Sequence, residues 1–116
     1  MAFKVVIPAR YNSTLLPGKP LIEIGGIPMV IHVARKAKMS GADEVVIATD
    51  DKKIIDVVSN YDFEALLTRD SHVSGTDRVL EVVDSKKWSD NEFIVNVQGD
   101  EPLIDPNLIK LLYEGM

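Results

Sequence analysis

At 116 residues, 46% of them apolar, the chain is long enough to form one domain around a single core. Its net charge of −5 argues against a general nucleic-acid-binding surface, and its lack of cysteine excludes disulfides, thiolate metal sites and cysteine nucleophiles. No apolar run reaches the roughly 18 residues that a membrane helix needs, so we expect no membrane partner and a cytoplasmic location.

Strand and helix patterns alternate along the whole chain. In chain order they predict a strand at 4–7, a helix at 29–39, a strand at 44–49, a helix capped by Asp50 or Asp51, a strand at 64–67, a helix from Thr76 or Asp77 to Lys87, a strand at 93–97 and a helix from Pro106. This alternation, with continuously apolar strands, predicts the α/β class: a mostly parallel sheet with helices on both faces.

The first predicted loop, residues 8–27, is much longer than the usual connection of about 2–6 residues. It contains Arg10, and Gly18 permits a tight turn that presents Lys19. It is neither a Walker loop, because Pro20 follows Lys19, nor a dinucleotide-binding loop, because Gly-x-Gly-x-x-Gly is absent. Long loops usually carry function, so Arg10 and Lys19 are candidates for binding an anion. The alternative interpretation is an ordinary surface loop in which both cations are solvated.

Ser74-Gly75-Thr76 precedes the third predicted helix and forms a possible nest of backbone N–H groups. Such a nest suits an anion or the polar edge of a base, although ordinary helix capping explains the same residues equally well. We interpret His32 as structural because no second histidine lies at ligand spacing. Asp50 and Asp51 are interpreted as helix-capping residues rather than a catalytic pair.

Asp100 follows the last predicted strand within Gln98-Gly99-Asp100-Glu101-Pro102. A carboxylate at this point suits a divalent metal, and an acid that only stabilises a turn is the alternative. The carboxyl ends of parallel strands meet at one edge of a sheet, where ligands bind. Arg10, Ser74 and Asp100 are therefore expected to border one crevice, which suggests a polyphosphate substrate.

Several sequence blocks carry a family resemblance, and they occur in the order Val6-Ile7-Pro8-Ala9-Arg10, Leu16-Pro17-Gly18-Lys19-Pro20, Ser74-Gly75-Thr76-Asp77-Arg78 and Asn96-Val97-Gln98-Gly99-Asp100-Glu101-Pro102. Together they closely resemble the 3-deoxy-manno-octulosonate (Kdo) cytidylyltransferases, or CMP-Kdo synthetases, over essentially the whole chain. The resemblance implies a Rossmann-like α/β/α nucleotidyltransferase fold, with residues 1–116 as the nucleotide-binding part of a single domain. It also implies Mg²⁺-dependent conversion of CTP and Kdo to CMP-Kdo and pyrophosphate, for lipopolysaccharide biosynthesis.

The same resemblance implies roles for individual residues. Arg10 and Lys19 would hold the triphosphate and stabilise charge on the departing pyrophosphate, and Asp100 would ligate Mg²⁺. The substrate-binding set is implied to be Ala9, Arg10, Lys19, Ser74, Gly75, Arg78 and Gln98, of which Ala9, Ser74, Gly75 and Arg78 would frame the cytosine and ribose and Gln98 would contact the sugar or nucleotide.

Two departures from the family pattern leave an alternative open. Leu15 stands where the family usually has arginine before Leu-Pro-Gly-Lys. The family enzyme is also roughly twice as long, and its second half supplies further sugar contacts, another metal-binding acid and much of a homodimer interface. A truncated or inactive relative that binds CTP without turnover is therefore the alternative. A phospho-acceptor receiver domain fits less well, because Pro8-Ala9-Arg10 stands where its acidic cluster would lie.

Overall fold

The computed structural model of the chain describes residues 3–9, 19–68, 75–88 and 93–97. Its elements, in chain order, are β1 (Phe3–Pro8), a 3-10 turn (Lys19–Leu21), β2 (Glu23–Ile24), β3 (Ile27–Pro28), α1 (Met29–Met39), β4 (Glu44–Thr49), α2 (Lys52–Asn60), β5 (Glu64–Leu67), α3 (Gly75–Lys86) and β6 (Phe93–Asn96). The helix predicted from Pro106 lies outside the described residues.

Four strands form one parallel sheet in the order β5-β4-β1-β6. Val6 of β1 lies opposite Val46 of β4 on one side and Asn96 of β6 on the other. The chain therefore builds outwards from β1 to β5 and then returns to place β6 on the opposite side of β1. This reversal is the topological switch point at which open α/β sheets bind ligands, and the predicted α/β class is confirmed.

The sheet is buried on both faces because alternate residues of β1 enter two different cores. Val5 and Ile7 pack in the core shared with α1 and α2, whose buried members include Val33 and Ile54. Val6 faces the opposite way and packs with Val82 of α3. This division explains why the strands are continuously apolar rather than alternating.

Most element boundaries agree with the prediction, and α2 confirms its capping signal. Asp51 has an extended backbone, and its Oδ1 accepts a hydrogen bond of 2.7 Å from the N–H of Lys53. The third helix departs by one residue at each end, since it begins at Gly75 and ends at Lys86. Lys87 has a φ of 56°, which is incompatible with continuing the helix.

The predicted first loop was wrong in part, because a 3-10 turn and a small hairpin occupy its second half. Strands β2 and β3 pair antiparallel around Gly25 and Gly26, which have φ values of 62° and 81°. Two glycines between apolar residues are a hairpin signal, but strands of two residues are too short to show a periodicity. The Nε2 of His32 donates to the carbonyl of Ile24 at 2.7 Å, which ties the hairpin to α1 and confirms the structural interpretation of this histidine.

Within the described residues, the helices are all too short and too polar to cross a bilayer.

Candidate functional site

The carboxyl ends of the four parallel strands form one continuous edge, here called the carboxyl edge. The residues that directly follow β1, β5 and β6 continue the backbone hydrogen bonding between neighbouring strands, so these strands end at the same edge of the sheet. The bonds run from Ala9 N–H to the Ala48 carbonyl at 2.8 Å, from Thr68 N–H to the Thr49 carbonyl at 2.7 Å and from Val97 N–H to the Val6 carbonyl at 3.1 Å. The loops that follow β1, β4, β5 and β6 therefore all leave from this edge, as the sequence predicted.

The structure describes part of the predicted site. Ala9 is buried at the end of β1, Lys19 begins the 3-10 turn, Gly75 is the first residue of α3, and Arg78 lies in the first turn of that helix. Arg10, Ser74, Gln98 and Asp100 lie outside the described residues, so their meeting in one crevice stays a prediction.

Arg78 is fully buried and joins three elements at the carboxyl edge. Its Nη1 donates a hydrogen bond to the hydroxyl of Thr68, which directly follows β5. Its Nη2 lies 3.6 Å from Oδ2 of Asp50, which directly follows β4. We call Asp50, Thr68 and Arg78 the Arg78 clamp. A guanidinium charge inside a protein needs such partners, because an unpaired buried charge is strongly destabilising.

Sequence reasoning missed the clamp because it assigned the two adjacent acids one role. Asp51 alone caps α2 through its side chain, while Asp50 faces Arg78. An acid that directly follows a buried strand was the signal that singled out Asp100, and it applied equally to Asp50. The implied contact of Arg78 with the nucleotide stays a prediction, and the described structure joins its guanidinium to protein groups.

An ionic network at the opposite edge fixes the other end of α3. Lys86 Nζ lies 2.7 and 2.9 Å from the two carboxylate oxygens of Glu64, and 3.2 Å from Oε2 of Glu44. Lys4 adds a 3.5 Å contact to Glu44, and its Nζ lies 5.5 Å from the centre of the Trp88 ring. We call Lys4, Glu44, Glu64 and Lys86 the amino-edge network, because its acids lie at the starts of β4 and β5.

The network changes the pKa of two of its members. Partial burial acts to raise the pKa of Glu44, but the hydrogen bond and charge of Lys86, with the charge of Lys4, outweigh it and lower the pKa. The hydrogen bond to Glu64 raises the pKa of Lys86, and the contact with Glu44 adds to this against the effect of burial. Both shifts favour the charged forms of these two residues, so Glu44 and Lys86 are ionised at neutral pH.

Comparison with known proteins identifies the family. Residues 4–116 match the family model described as cytidylyltransferase. The chain belongs to the cytidylyltransferase family. The resemblance inferred from the sequence blocks is therefore confirmed at the level of the family.

Named relatives are similar over nearly the whole chain. A 3-deoxy-manno-octulosonate cytidylyltransferase of Methylococcus capsulatus is 52% identical over 98% of this chain and 44% of its own length. The protein of the same name from Photobacterium profundum is 53% identical over 100% of this chain and 47% of its own length. The chain thus spans about half the length of the curated relatives that it matches.

A solved structure agrees in fold as well as in sequence. It is a CMP:2-keto-3-deoxy-manno-octonic acid synthetase complexed with CTP, and it superposes on this chain with a TM-score of 0.92 at 43% identity. The match covers 100% of this chain and 47% of that one. The four-stranded parallel sheet and its helices therefore have the same architecture as the part of that synthetase that they match, which is about half of it.

Proposed function

We propose that this chain supplies the CTP-binding part of a Kdo cytidylyltransferase, which converts CTP and Kdo to CMP-Kdo and pyrophosphate for lipopolysaccharide biosynthesis. The observation that carries the proposal is the match of the whole chain, at a TM-score of 0.92, to a synthetase complexed with CTP. The names of relatives about half identical in sequence support the same substrate pair. A reaction that consumes CTP is expected in the cytoplasm, and the longer family enzyme is expected to be a homodimer.

The proposed reaction is a displacement at phosphorus. The anomeric hydroxyl of Kdo attacks the α-phosphorus of CTP, the bond to the bridging oxygen of pyrophosphate breaks, and the hydroxyl proton is lost to solvent. Such a transfer depends on positioning and charge neutralisation rather than on covalent catalysis. Arg10 and Lys19 would bind the triphosphate and stabilise the negative charge that accumulates on pyrophosphate.

Asp100 is the proposed Mg²⁺ ligand. It lies three residues beyond Val97, whose N–H is bonded to Val6 at the carboxyl edge beside the switch point. A carboxylate together with phosphate oxygens is the hard donor set that Mg²⁺ prefers, so this residue fits the ion. When bound, Mg²⁺ would neutralise charge on the phosphate oxygens. Within the described ranges no cluster of three metal-binding side chains competes for this role.

The remaining proposed contacts surround the base, ribose and sugar. Ala9, Gly75 and Arg78 are the described members: Ala9 directly follows β1, and Gly75 and Arg78 lie in the first turn of α3. Ser74 and Arg78 would complete the surroundings of the cytosine and ribose, and Gln98 would contact the sugar or nucleotide.

A second candidate is CTP binding without turnover. Leu15 replaces a family arginine in the triphosphate loop, and the chain matches less than half of each relative's length. On this view CTP binding and transfer to the sugar are separable, because further sugar contacts of the family enzyme are expected in its other half.

One experiment separates the two candidates. The purified chain is incubated with CTP, Kdo and MgCl₂, pyrophosphate release is measured, and CTP affinity is measured by calorimetry with and without Mg²⁺. Pyrophosphate release supports the full reaction, while CTP binding without release supports the second candidate. Failure to bind CTP at millimolar concentration refutes both.

Asp100→Asn tests the metal role within the same experiment. It should remove the Mg²⁺-dependent gain in CTP affinity, because an amide is a much weaker Mg²⁺ ligand than a carboxylate. Asp56→Asn is the matched control, since Asp56 is exposed on α2 and the substitution removes the same charge. An Asp100→Asn chain that keeps the full Mg²⁺ dependence contradicts the assignment.

A further inference from the structure

Helix α3 is attached to the sheet by polar contacts at both ends. Near its start, Arg78 reaches Thr68 and Asp50 at the carboxyl edge. At its last residue, Lys86 reaches Glu64 and Glu44 at the amino edge. The contacts at the two ends differ in burial: the Arg78 side chain is 1% exposed and that of Asp50 16%, against 22% for Lys86 and 44% for Glu64.

We infer that Asp50 and Thr68 are positioning residues for nucleotide binding, which act through Arg78 to hold the first turn of α3 at the carboxyl edge. The inference rests on the proposed function, since that function puts the nucleotide beside Gly75. It goes beyond the implied role of Arg78 as a direct contact, and it gives Asp50 and Thr68 a part in nucleotide binding that the sequence analysis did not assign to them.

The geometry explains how the clamp would act at a distance. Gly75 precedes Arg78 by three residues, which is slightly less than one turn of helix, so the two move together. Thr68 and Asp50 follow two different strands, β5 and β4. Two points of attachment fix both the position of the first turn of α3 relative to the sheet and its rotation about the helix axis. Hydrogen bonds from a charged donor in a buried setting are the stronger kind. The first turn also exposes backbone N–H groups to any ligand placed beyond it.

Two conservative variants weaken the clamp without removing the buried arginine. Thr68→Val removes the hydroxyl that accepts from Arg78 and keeps a β-branched side chain of similar size. Asp50→Asn removes the negative charge and keeps the shape. Glu64→Gln is the matched control, because it makes the same carboxylate-to-amide change in the partner of the other polar anchor of α3.

Hydrogen exchange gives a readout that does not depend on any nucleotide. The amides of Val79 and Leu80 bond to carbonyls in the first turn of α3. Their exchange should become several-fold faster in Asp50→Asn and Thr68→Val, and stay unchanged in Glu64→Gln. Unchanged exchange at Val79 and Leu80 in both clamp variants overturns the inference.

Nucleotide affinity gives the second readout. Coupling between neighbouring sites typically changes affinity by about 5- to 150-fold, and we expect CTP binding to weaken about fivefold in each clamp variant. The preference for CTP over UTP should fall as well, because the turn is no longer held against the base. If the two residues are merely structural, the variants will have a lower melting temperature and an unchanged preference for CTP over UTP. That result overturns the inference. A wild-type chain that does not bind CTP refutes the proposed function instead, so the two failures are distinguishable.

Discussion

Replacing Lys86 with Met should destabilise the protein by removing the centre of the amino-edge network. Lys86 makes close contacts with two carboxylates, at 2.7 Å to Glu64 and 3.2 Å to Glu44. The side chains are between 22% and 44% exposed, so each pair is worth only about 0.2–1 kcal/mol. Two pairs together give a loss of about 1 kcal/mol. Met keeps the aliphatic length and the helix propensity of lysine, so the loss reports the charge.

The stability lost in Lys86→Met should depend on pH, and the two pKa shifts give the direction of that dependence. The pKa of Glu44 is lowered from 4.5, so its contribution is present above 4.5 and is lost as the pH falls through the lower folded value. The pKa of Lys86 is raised from 10.5, so its contribution is present below 10.5 and is lost as the pH rises through the higher folded value. The stability difference between wild type and variant should therefore be largest between these limits and shrink in acid.

Urea unfolding followed by circular dichroism is the assay. With a slope of about 2 kcal/mol per molar urea, a loss of 1 kcal/mol lowers the midpoint by about 0.5 M at pH 7. Lys87→Met is the control, because Lys87 is exposed and is the next residue along the chain. Equal midpoints for the two variants at pH 7, or a difference that is as large at pH 3 as at pH 7, would refute the reasoning.

Three further predictions concern separate parts of the molecule. Lys19→Ala should weaken CTP binding more than CMP binding in calorimetry, because its proposed contact is with the triphosphate; equal losses argue against that contact. Asp51→Ala removes the cap of α2 and should cost about 1 kcal/mol of unfolding free energy, with a loss below 0.3 kcal/mol as the contrary result. Ile47→Ala removes a fully buried side chain from the sheet core and should cost about 2–5 kcal/mol by the same unfolding assay, whereas Ile55→Ala at a half-buried position should cost clearly less.

The sequence predicted the parallel sheet because buried parallel strands have an unambiguous pattern. Residues 45–48 form a continuous apolar run between Glu44 and Thr49, and β4 has the predicted bounds. The order of the strands was beyond sequence reasoning, since each strand is apolar on both faces and carries no mark of its neighbours. The hairpin around Gly25 and Gly26 was missed because its strands contribute only two residues each.

The candidate site was predictable where the chemistry is local and not where it depends on tertiary contacts. The sequence predicted that Asp50 or Asp51 caps α2, because both lie immediately before the helix, and the structure shows that Asp51 is the cap. The pairing of Asp50 with Arg78 joins residues 28 positions apart, and it depends on the packing of α3 against β1 and β4. Thr68 gave no signal in the sequence, because a threonine after a strand is common and only the buried guanidinium beside it makes it notable.

The most direct test of the account is a titration of the ¹⁵N-labelled chain with CTP and Mg²⁺, followed by amide chemical shifts. The account predicts that the shifts concentrate at the carboxyl edge, on the amides of Ala9, Thr68, Gly75 and Val97. The amides of Glu44 and Glu64, at the opposite edge, should hardly change. Shifts centred on the amino edge, or no shifts at saturating CTP, would contradict the claim that this sheet edge binds the nucleotide.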